Sequence, residues 1–175
     1  AKKIAKRFLT KSFNKLNVKM LPNITLLLKQ KYNGNLPISS FKFNNKIVSW
    51  ASNENSKNRF RQRDIYWTVQ TSENFSKQNI NIYKKKKKYI SNKILREFAK
   101  LLNLNYKNFK VIKIHGWKYS YNKNSLVKNC YWDKKLNLGL CGDWFVGPKA
   151  ESAWVSANSL FQKIKKNPPK IIKRV

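Results

Sequence analysis

The chain has 175 residues, enough for one domain or two small ones. Because 41% of the residues are hydrophobic and 14% aromatic, the chain can bury a core, which argues against general disorder. Its formal charge of +32 comes from 33 lysines and 6 arginines against 7 acidic residues, and the chain also contains 23 asparagines. Lysine and asparagine enrichment along a whole chain is typical of an AT-rich coding sequence, so the charge by itself indicates only salt-sensitive, non-specific polyanion binding.

The two cysteines, Cys130 and Cys141, have neither CxxC spacing nor neighbours suited to a metal site. We therefore expect reduced thiols, no bound metal and a cytoplasmic location. No apolar run approaches the roughly 20 residues of a membrane span, and no signal-peptide region is evident. Because the first residue is Ala1 rather than Met, we expect that sequence is missing upstream.

The first part of the chain alternates strand patterns with polar segments. Ala1–Asn17 has the spacing of a short amphipathic helix, and Tyr32–Asn35 is a turn signal. Phe41–Trp50 has the pattern of a hairpin that turns at Asn44-Asn45, and Ala51–Arg63 has that of a polar surface loop. Two further strands are predicted, at Ile24–Lys29 and Asp64–Thr71.

The second part of the chain mixes helices and strands. A helix is predicted to begin at Ser72, and the five lysines Lys84–Lys88 are expected to form a solvated helix start or loop. Apolar residues spaced three or four apart predict a second helix, from Ile90 to Leu102. The remaining predicted elements are a long strand at Phe109–Tyr121, short strands at Cys130–Asp133 and Leu136–Leu140, and a basic tail at 165–175.

The stretch Leu138–Ile164 combines a short apolar strand, a glycine-containing turn with one acid, and a helix entered through Glu151. The helix is predicted to bury one apolar face. Its start presents unpaired N–H groups and partial positive charge, so this unit is suited to an anionic or electron-rich ligand. The face comprises Ala153, Ala157, Leu160, Phe161 and Ile164.

Three motifs stand out in this stretch: Cys141-Gly142-Asp143-Trp144, Gly147-Pro148-Lys149 and Glu151-Ser152-Ala153-Trp154 with Ser156. They are similar to the C-terminal flavin-binding motif of the renalase-like FAD-dependent oxidoreductases, a family of the amine-oxidase flavoprotein class. That pattern reads C-G-D-W, then G-P-R, then V-E-G-A-W-x-S-G. The spacing here is the same, with lysine in place of the arginine, alanine in place of the valine, and Ser152 and Ala157 in place of glycines.

Further matches lie upstream, where the family carries a Trp followed by Asn-Ser-Ser-Lys, a Trp-x-Leu-His/Gln-x-Ser strand and a His-x-Trp-Arg-Tyr strand. The corresponding residues here are Trp50 with Asn55-Ser56-Lys57, Trp67 with Gln70 and Ser72, and His115-Gly116-Trp117-Lys118-Tyr119. The resemblance thus covers nearly the whole chain, but only the C-terminal half of a family member.

The resemblance implies an α+β or α/β fold with a mixed or antiparallel substrate-domain sheet, covering helices, and the last strands and helix of a Rossmann-type FAD domain. The implied boundaries are 1–124 for the substrate domain, 125–164 for the FAD segment and 165–175 for the tail. FAD would be non-covalent, with Asp143 at its ribityl and pyrophosphate region and the start of the last helix at the flavin ring. The implied FAD contacts are Gly142, Asp143, Trp144, Glu151, Ser152 and Ala153, and the implied substrate-cavity residues are Trp67, His115, Trp117 and Tyr119.

The implied activity is hydride transfer from a small amine or dihydronicotinamide-like substrate to flavin. No GxGxxG turn is present among the five glycines, so the chain holds half a cofactor site and needs an N-terminal FAD-binding half in cis or in trans. For His115, a hydrogen-bonded packing role is favoured over an acid/base role, because a lone histidine beside Trp and Tyr is more often a packing residue. Two alternatives remain: a small basic nucleic-acid-binding protein that uses Lys84–Lys88 and exposed aromatic residues, and a non-catalytic remnant of the flavoenzyme. A hydrolase that uses Asp143 and Glu151 is disfavoured, since no nucleophile motif accompanies them.

Overall fold

The computed structural model describes residues 18–31, 39–58, 64–126 and 128–168. Five strands form one sheet in the order β2-β3-β4-β1-β5. The pairs β2–β3, β3–β4 and β1–β4 are antiparallel, so the prediction of an α+β fold with an antiparallel sheet is confirmed. The strands are β1 (Met20–Gln30), β2 (Ser40–Lys42), β3 (Val48–Asn53), β4 (Ile65–Thr71) and β5 (Phe109–Asn122).

Four α-helices and a second, two-stranded sheet complete the described elements. The helices are α1 (Glu73–Asn79), α2 (Lys87–Leu101), α3 (Asp143–Val146) and α4 (Ala150–Lys166). The second sheet pairs β6 (Tyr131–Asp133) with β7 (Leu138–Leu140) in antiparallel fashion, at the two short strands that the sequence predicted. Short 3₁₀ turns occupy Glu54–Lys57 and Tyr106–Asn108. Among the helices of the described ranges, none combines the length and apolarity that a bilayer crossing requires.

The main core forms because alternate residues of β1 and β4 turn their side chains to the same side of the sheet. Leu28 lies opposite Trp67 in the register, and both side chains are buried. On α2 the buried residues recur every three or four positions, and the Phe98 ring meets the Trp67 ring edge-on with centroids 5.4 Å apart. Helix α2 therefore covers one face of the sheet. Leu27 and Thr68, on the other face, are only half-buried.

Local hydrogen bonds account for two element boundaries that the sequence predicted. Ser72 caps α1, because its Oγ accepts a hydrogen bond from the Phe75 N–H at 3.2 Å. In the β2–β3 turn, the Asn45 side-chain oxygen accepts from the Ile47 and Val48 N–H groups at 2.8 and 3.1 Å. Both side chains satisfy backbone donors that the regular elements leave unpaired.

The chain divides into two compact units. One unit is Leu21–Ser120, which contains most of the five-stranded sheet together with α1 and α2. The other comprises Ala1–Met20 and Tyr121–Val175, and its described part holds the β6–β7 hairpin, α3 and α4. Trp144 and Phe145 form the centre of a small separate core in this second unit. The predicted assignment of residues 1–124 to a substrate domain and 125–164 to an FAD segment stays a prediction.

Three sequence-based expectations are wrong in detail. Ala51 is fully buried opposite Val69, so β3 continues to Asn53 where a surface loop was expected. The stretch between β7 and the last helix, expected to be a glycine-containing turn alone, contains the short helix α3. On α4, Ala157 and Phe161 are exposed although the predicted apolar face included them. Several parts of the sequence-based predictions lie outside the described residues: the helix at 1–17, the turn at 32–35, the end of the polar loop with the arginines at 59, 61 and 63, and the tail from 169 onward. Lys165 and Lys166, which the predicted tail included, belong to α4.

Candidate functional site

The turn after β7 requires glycine at position 142. Gly142 has φ +149° and ψ 167°, a conformation that residues with a Cβ atom rarely adopt. A Cβ added there would lie 2.6 Å from Nε1 of Trp144, too close for any side chain. Glycine is therefore needed two residues before the tryptophan of the Gly142-Asp143-Trp144 motif, because the Trp144 indole packs directly against it.

The side chain of Ser156 joins this turn to α4. It is fully buried, and its Oγ accepts a hydrogen bond from the Gly142 N–H at 3.0 Å while donating to the carbonyl oxygen of Asn129 at 2.5 Å. Three segments are thus held by one hydroxyl. The motif match included Ser156 without a role, and the available signal was its position four residues after Ser152, on the same side of the helix.

Close packing of β7 on α4 adds to this connection. A Cβ at Gly139 would lie 2.9 Å from Cδ2 of Leu160, so the glycine lets the strand approach the helix without displacing that leucine side chain. Cys141, between this contact and the turn, is exposed, whereas Cys130 is buried. Both thiols are free, as predicted. Strand, turn and helix therefore form a single packed unit across Leu138–Ile164.

Asp143 and Trp144 occupy different environments within the turn. Asp143 is half-buried at the first position of α3, and its Oδ1 accepts from the Trp144 N–H at 2.9 Å. Trp144 is 8% exposed and lies against Phe145, with ring centroids 4.0 Å apart. The carboxylate thus lies nearer the surface than the indole, which is part of the small core.

The start of α4 carries the other three predicted flavin contacts. Glu151 is exposed, Ser152 is buried and Ala153 is half-buried. Lys149 is the residue before the helix, and it makes no side-chain capping hydrogen bond. The first turn is instead closed by a backbone hydrogen bond, in which the Ser152 N–H donates to the Lys149 carbonyl oxygen at 3.2 Å.

Three of the four predicted cavity residues lie together on β5. His115, Trp117 and Tyr119 alternate along the strand and so share one face, on which the His115 and Trp117 rings are 4.3 Å apart. All three are exposed, Trp117 by 52% and Tyr119 by 62%. The opposite face packs on a ring, since a Cβ at Gly116 would lie 2.5 Å from Cε1 of Tyr83.

Trp67, the fourth predicted cavity residue, is part of the main core rather than of this row. It is 1% exposed, and its Nε1 donates to the Gln30 side-chain oxygen at 2.7 Å. It nevertheless borders a cleft of about 420 Å³ in the same unit. The cleft residues are mostly apolar: Leu27, Leu28, Glu54, Tyr66, Trp67, Thr68 and Ile112.

Charged contacts near the cleft are simple ion pairs. Lys29 Nζ lies 2.5 Å from Asp64 Oδ2, and this hydrogen bond raises the pKa of Lys29 above its ordinary value. At the cleft itself, Glu54 pairs with Lys57 at 2.7 Å. Within the part of the chain that the structure describes, no group of three His, Cys, Asp or Glu residues is placed to hold a metal ion.

No protein-family model matches this chain, and no curated protein matches it. The residues predicted to contact flavin all lie in the unit that includes Tyr121–Val175, and the predicted cavity residues all lie in Leu21–Ser120. The functional roles of both groups of residues stay predictions.

Proposed function

We propose that this chain is the C-terminal part of an FAD-dependent oxidoreductase similar to the renalase-like flavoproteins, which transfers hydride from a small amine or dihydronicotinamide-like substrate to flavin. The observation that supports this most is the packed strand–turn–helix unit at Leu138–Ile164. Gly142 has a conformation that demands glycine, and Ser156 holds the helix to the turn. Both residues belong to the motif on which the resemblance rests.

The available donors and acceptors fit part of a flavin site. Asp143 is half-buried in the turn that follows β7, a position suited to accepting hydrogen bonds from cofactor hydroxyls. The first turn of α4 has no side-chain cap, so its N–H groups and its dipole favour the edge of the flavin ring that gains negative charge on reduction. The buried Ser152 adds a hydroxyl where the family has glycine.

In this proposal, side chains of the unit Leu21–Ser120 contact the substrate. The His115, Trp117 and Tyr119 row is exposed, and the cleft of about 420 Å³ is within the size range of small-molecule sites. In this proposal these side chains orient the substrate and exclude water. A bound flavin supplies the hydride-accepting chemistry, so no strongly nucleophilic side chain is needed.

The proposal requires a partner. The adenosine and pyrophosphate of FAD need a GxGxxG turn, which we expect from an N-terminal FAD-binding half in cis or in trans. Helix α4 has an apolar surface for such a contact, since Trp154 is 70% exposed and Phe161 60% exposed. Large exposed apolar side chains on one helix mark an interaction surface.

The test is to produce the chain together with the reading frame directly upstream and to record its visible absorption after purification. We expect a flavin spectrum that is lost on Asp143→Ala. The matched control is Asp133→Ala, which removes a carboxylate from the β6–β7 turn of the same unit, where it accepts from the Lys135 N–H at 3.0 Å. The control is expected to keep the flavin.

Two outcomes would contradict the proposal. A folded product that contains a GxGxxG segment but neither carries nor takes up flavin removes the cofactor assignment. Equal loss of flavin in the Asp143→Ala and Asp133→Ala variants, with both folded by circular dichroism, removes the assignment of the site to the Gly142–Trp144 turn.

A further inference from the structure

A dense group of cations lies at the start and along the outer side of α2. Residues 84–100 contain eight basic residues and one acidic residue, about twice the average density of basic residues in the chain. All eight are exposed. We call this surface the basic face, and it consists of Lys84–Lys88, Lys93, Arg96 and Lys100.

Acidic side chains do not neutralise this surface. The acid within it, Glu97, accepts a hydrogen bond from the Asn45 side chain at 2.7 Å. Among the described residues, the recorded ion pairs involve Lys29, Lys57 and Lys77, all outside the basic face. The first turn of α2 contains no acid and begins with two lysines, an arrangement that the helix dipole disfavours. Like charges are therefore concentrated where the fold itself gains nothing from them.

The shape of the basic face points to phosphates rather than to a lipid surface. An interfacial helix inserts an apolar face, but the apolar face of α2 is buried in the core through Ile90, Ile94 and Phe98. The exposed side of α2 therefore consists mainly of charged side chains. A helix of 15 residues extends about 22 Å, and duplex nucleic acid carries about one charge per 1.7 Å of its axis, so several cations can meet phosphates together.

The same surface favours double strands over single strands. Binding to unpaired bases relies on stacking against exposed aromatic rings. Tyr89 is 62% exposed beside the lysine run, but the Tyr106 ring is covered by the Arg96 guanidinium at 4.5 Å from its centroid. Lysine ammonium groups act as point charges towards phosphate and lack the planar fork with which arginine binds in a fixed bidentate geometry.

We propose that the basic face binds the phosphate backbone of double-stranded nucleic acid without sequence preference. This inference is independent of the flavin proposal, because none of its residues belongs to the predicted flavin site or substrate cavity. It also differs from general polyanion attraction by the whole chain, since it assigns the binding to one surface.

The experiment compares two variants of the full chain that lose the same charge. In the first, the five lysines Lys84–Lys88 are changed to Gln. In the second, five exposed lysines of the other unit are changed to Gln, namely Lys134, Lys135, Lys163, Lys165 and Lys166. Binding of a labelled duplex of roughly 20 base pairs is measured by fluorescence anisotropy over a range of NaCl concentrations, and circular dichroism checks that each variant is folded.

We expect the first variant to lose more than about tenfold in affinity near 0.15 M salt, and its slope of log K against log salt to fall by about 4.5, since each of the lost phosphate contacts contributes about 0.9. The second variant is expected to stay within about threefold of the unchanged chain. Equal losses in both variants would overturn the proposal, because they would show that total charge decides binding. Tighter binding to single strands of the same length would overturn it too, as would lysine-run-dependent binding to phosphatidylserine vesicles without binding to the duplex.

Discussion

Removing the Ser156 hydroxyl tests whether the strand–turn–helix unit depends on it. In Ser156→Ala the half-buried Gly142 N–H loses its acceptor, at 3.0 Å, and the Asn129 carbonyl loses its donor, at 2.5 Å. A buried donor without a partner costs about 1–3 kcal/mol, whereas Asn129 is exposed, so water replaces most of the second bond. Alanine recovers about 0.5 kcal/mol through its better helix propensity. We expect a net destabilisation of about 2 kcal/mol.

The assay is urea denaturation followed by circular dichroism, together with amide hydrogen exchange at Gly142. Ser159→Ala is the matched control, because it removes a half-buried serine of the same helix for which the structure records no side-chain hydrogen bond. We expect the control to change stability by less than about 0.5 kcal/mol. If both variants have the same stability and Gly142 exchanges no faster in Ser156→Ala, the Ser156 connection is not what holds the turn.

Three further changes have expected outcomes. Gly142→Ala is expected to destabilise the fold by about 2–4 kcal/mol in urea denaturation, because it adds positive-φ strain and a contact of 2.6 Å with Trp144; an unchanged midpoint would contradict the turn geometry. Phe98→Ala is expected to cost about 3–5 kcal/mol in the same assay, since the fully buried ring is lost from the main core, and a cost below about 1 kcal/mol would refute that role. Asp64→Ala removes the acceptor of the hydrogen bond that raises the pKa of Lys29. The raised pKa contributes stability below the ordinary value of 10.5, and this contribution is lost as pH rises through the folded pKa. NMR titration is expected to show that the Lys29 pKa returns towards 10.5 in the variant. An unchanged Lys29 pKa would exclude the pair as the cause of the shift.

Much of the sheet is predictable, because its strands follow simple alternation. The side chains of Ile65, Trp67 and Val69 face the helices and those between them face outward, so the period of two in the sequence identifies β4 directly. The same alternation places His115 and Trp117 on one face of β5, where the structure has them. Trp67 was grouped with them by resemblance; its strand position puts it in the core, where it borders the cleft, and its role in a substrate cavity stays a prediction.

The errors arise where polar residues are buried. β3 ends with Ser52 and Asn53, whose polarity predicted a loop, but the Asn53 N–H is paired with the Ser39 carbonyl oxygen at 2.9 Å. On α4, apolar spacing assigned Phe161 to the buried face, yet the helix buries Ser156 because its hydroxyl has two backbone partners. Hydropathy patterns carry no information on which polar atoms will find partners across the fold, so these positions need the tertiary structure.

The difference in exposure between the two cysteines allows a fluorescent label to be placed beside the turn. Cys141 is exposed and immediately precedes Gly142, whereas Cys130 is 1% exposed. A maleimide dye added to the folded protein is therefore directed to Cys141, without any engineered substitution. Because the chain contains two cysteines in all, such a label reports from one defined position beside the turn. Its emission would follow local opening at that turn in real time.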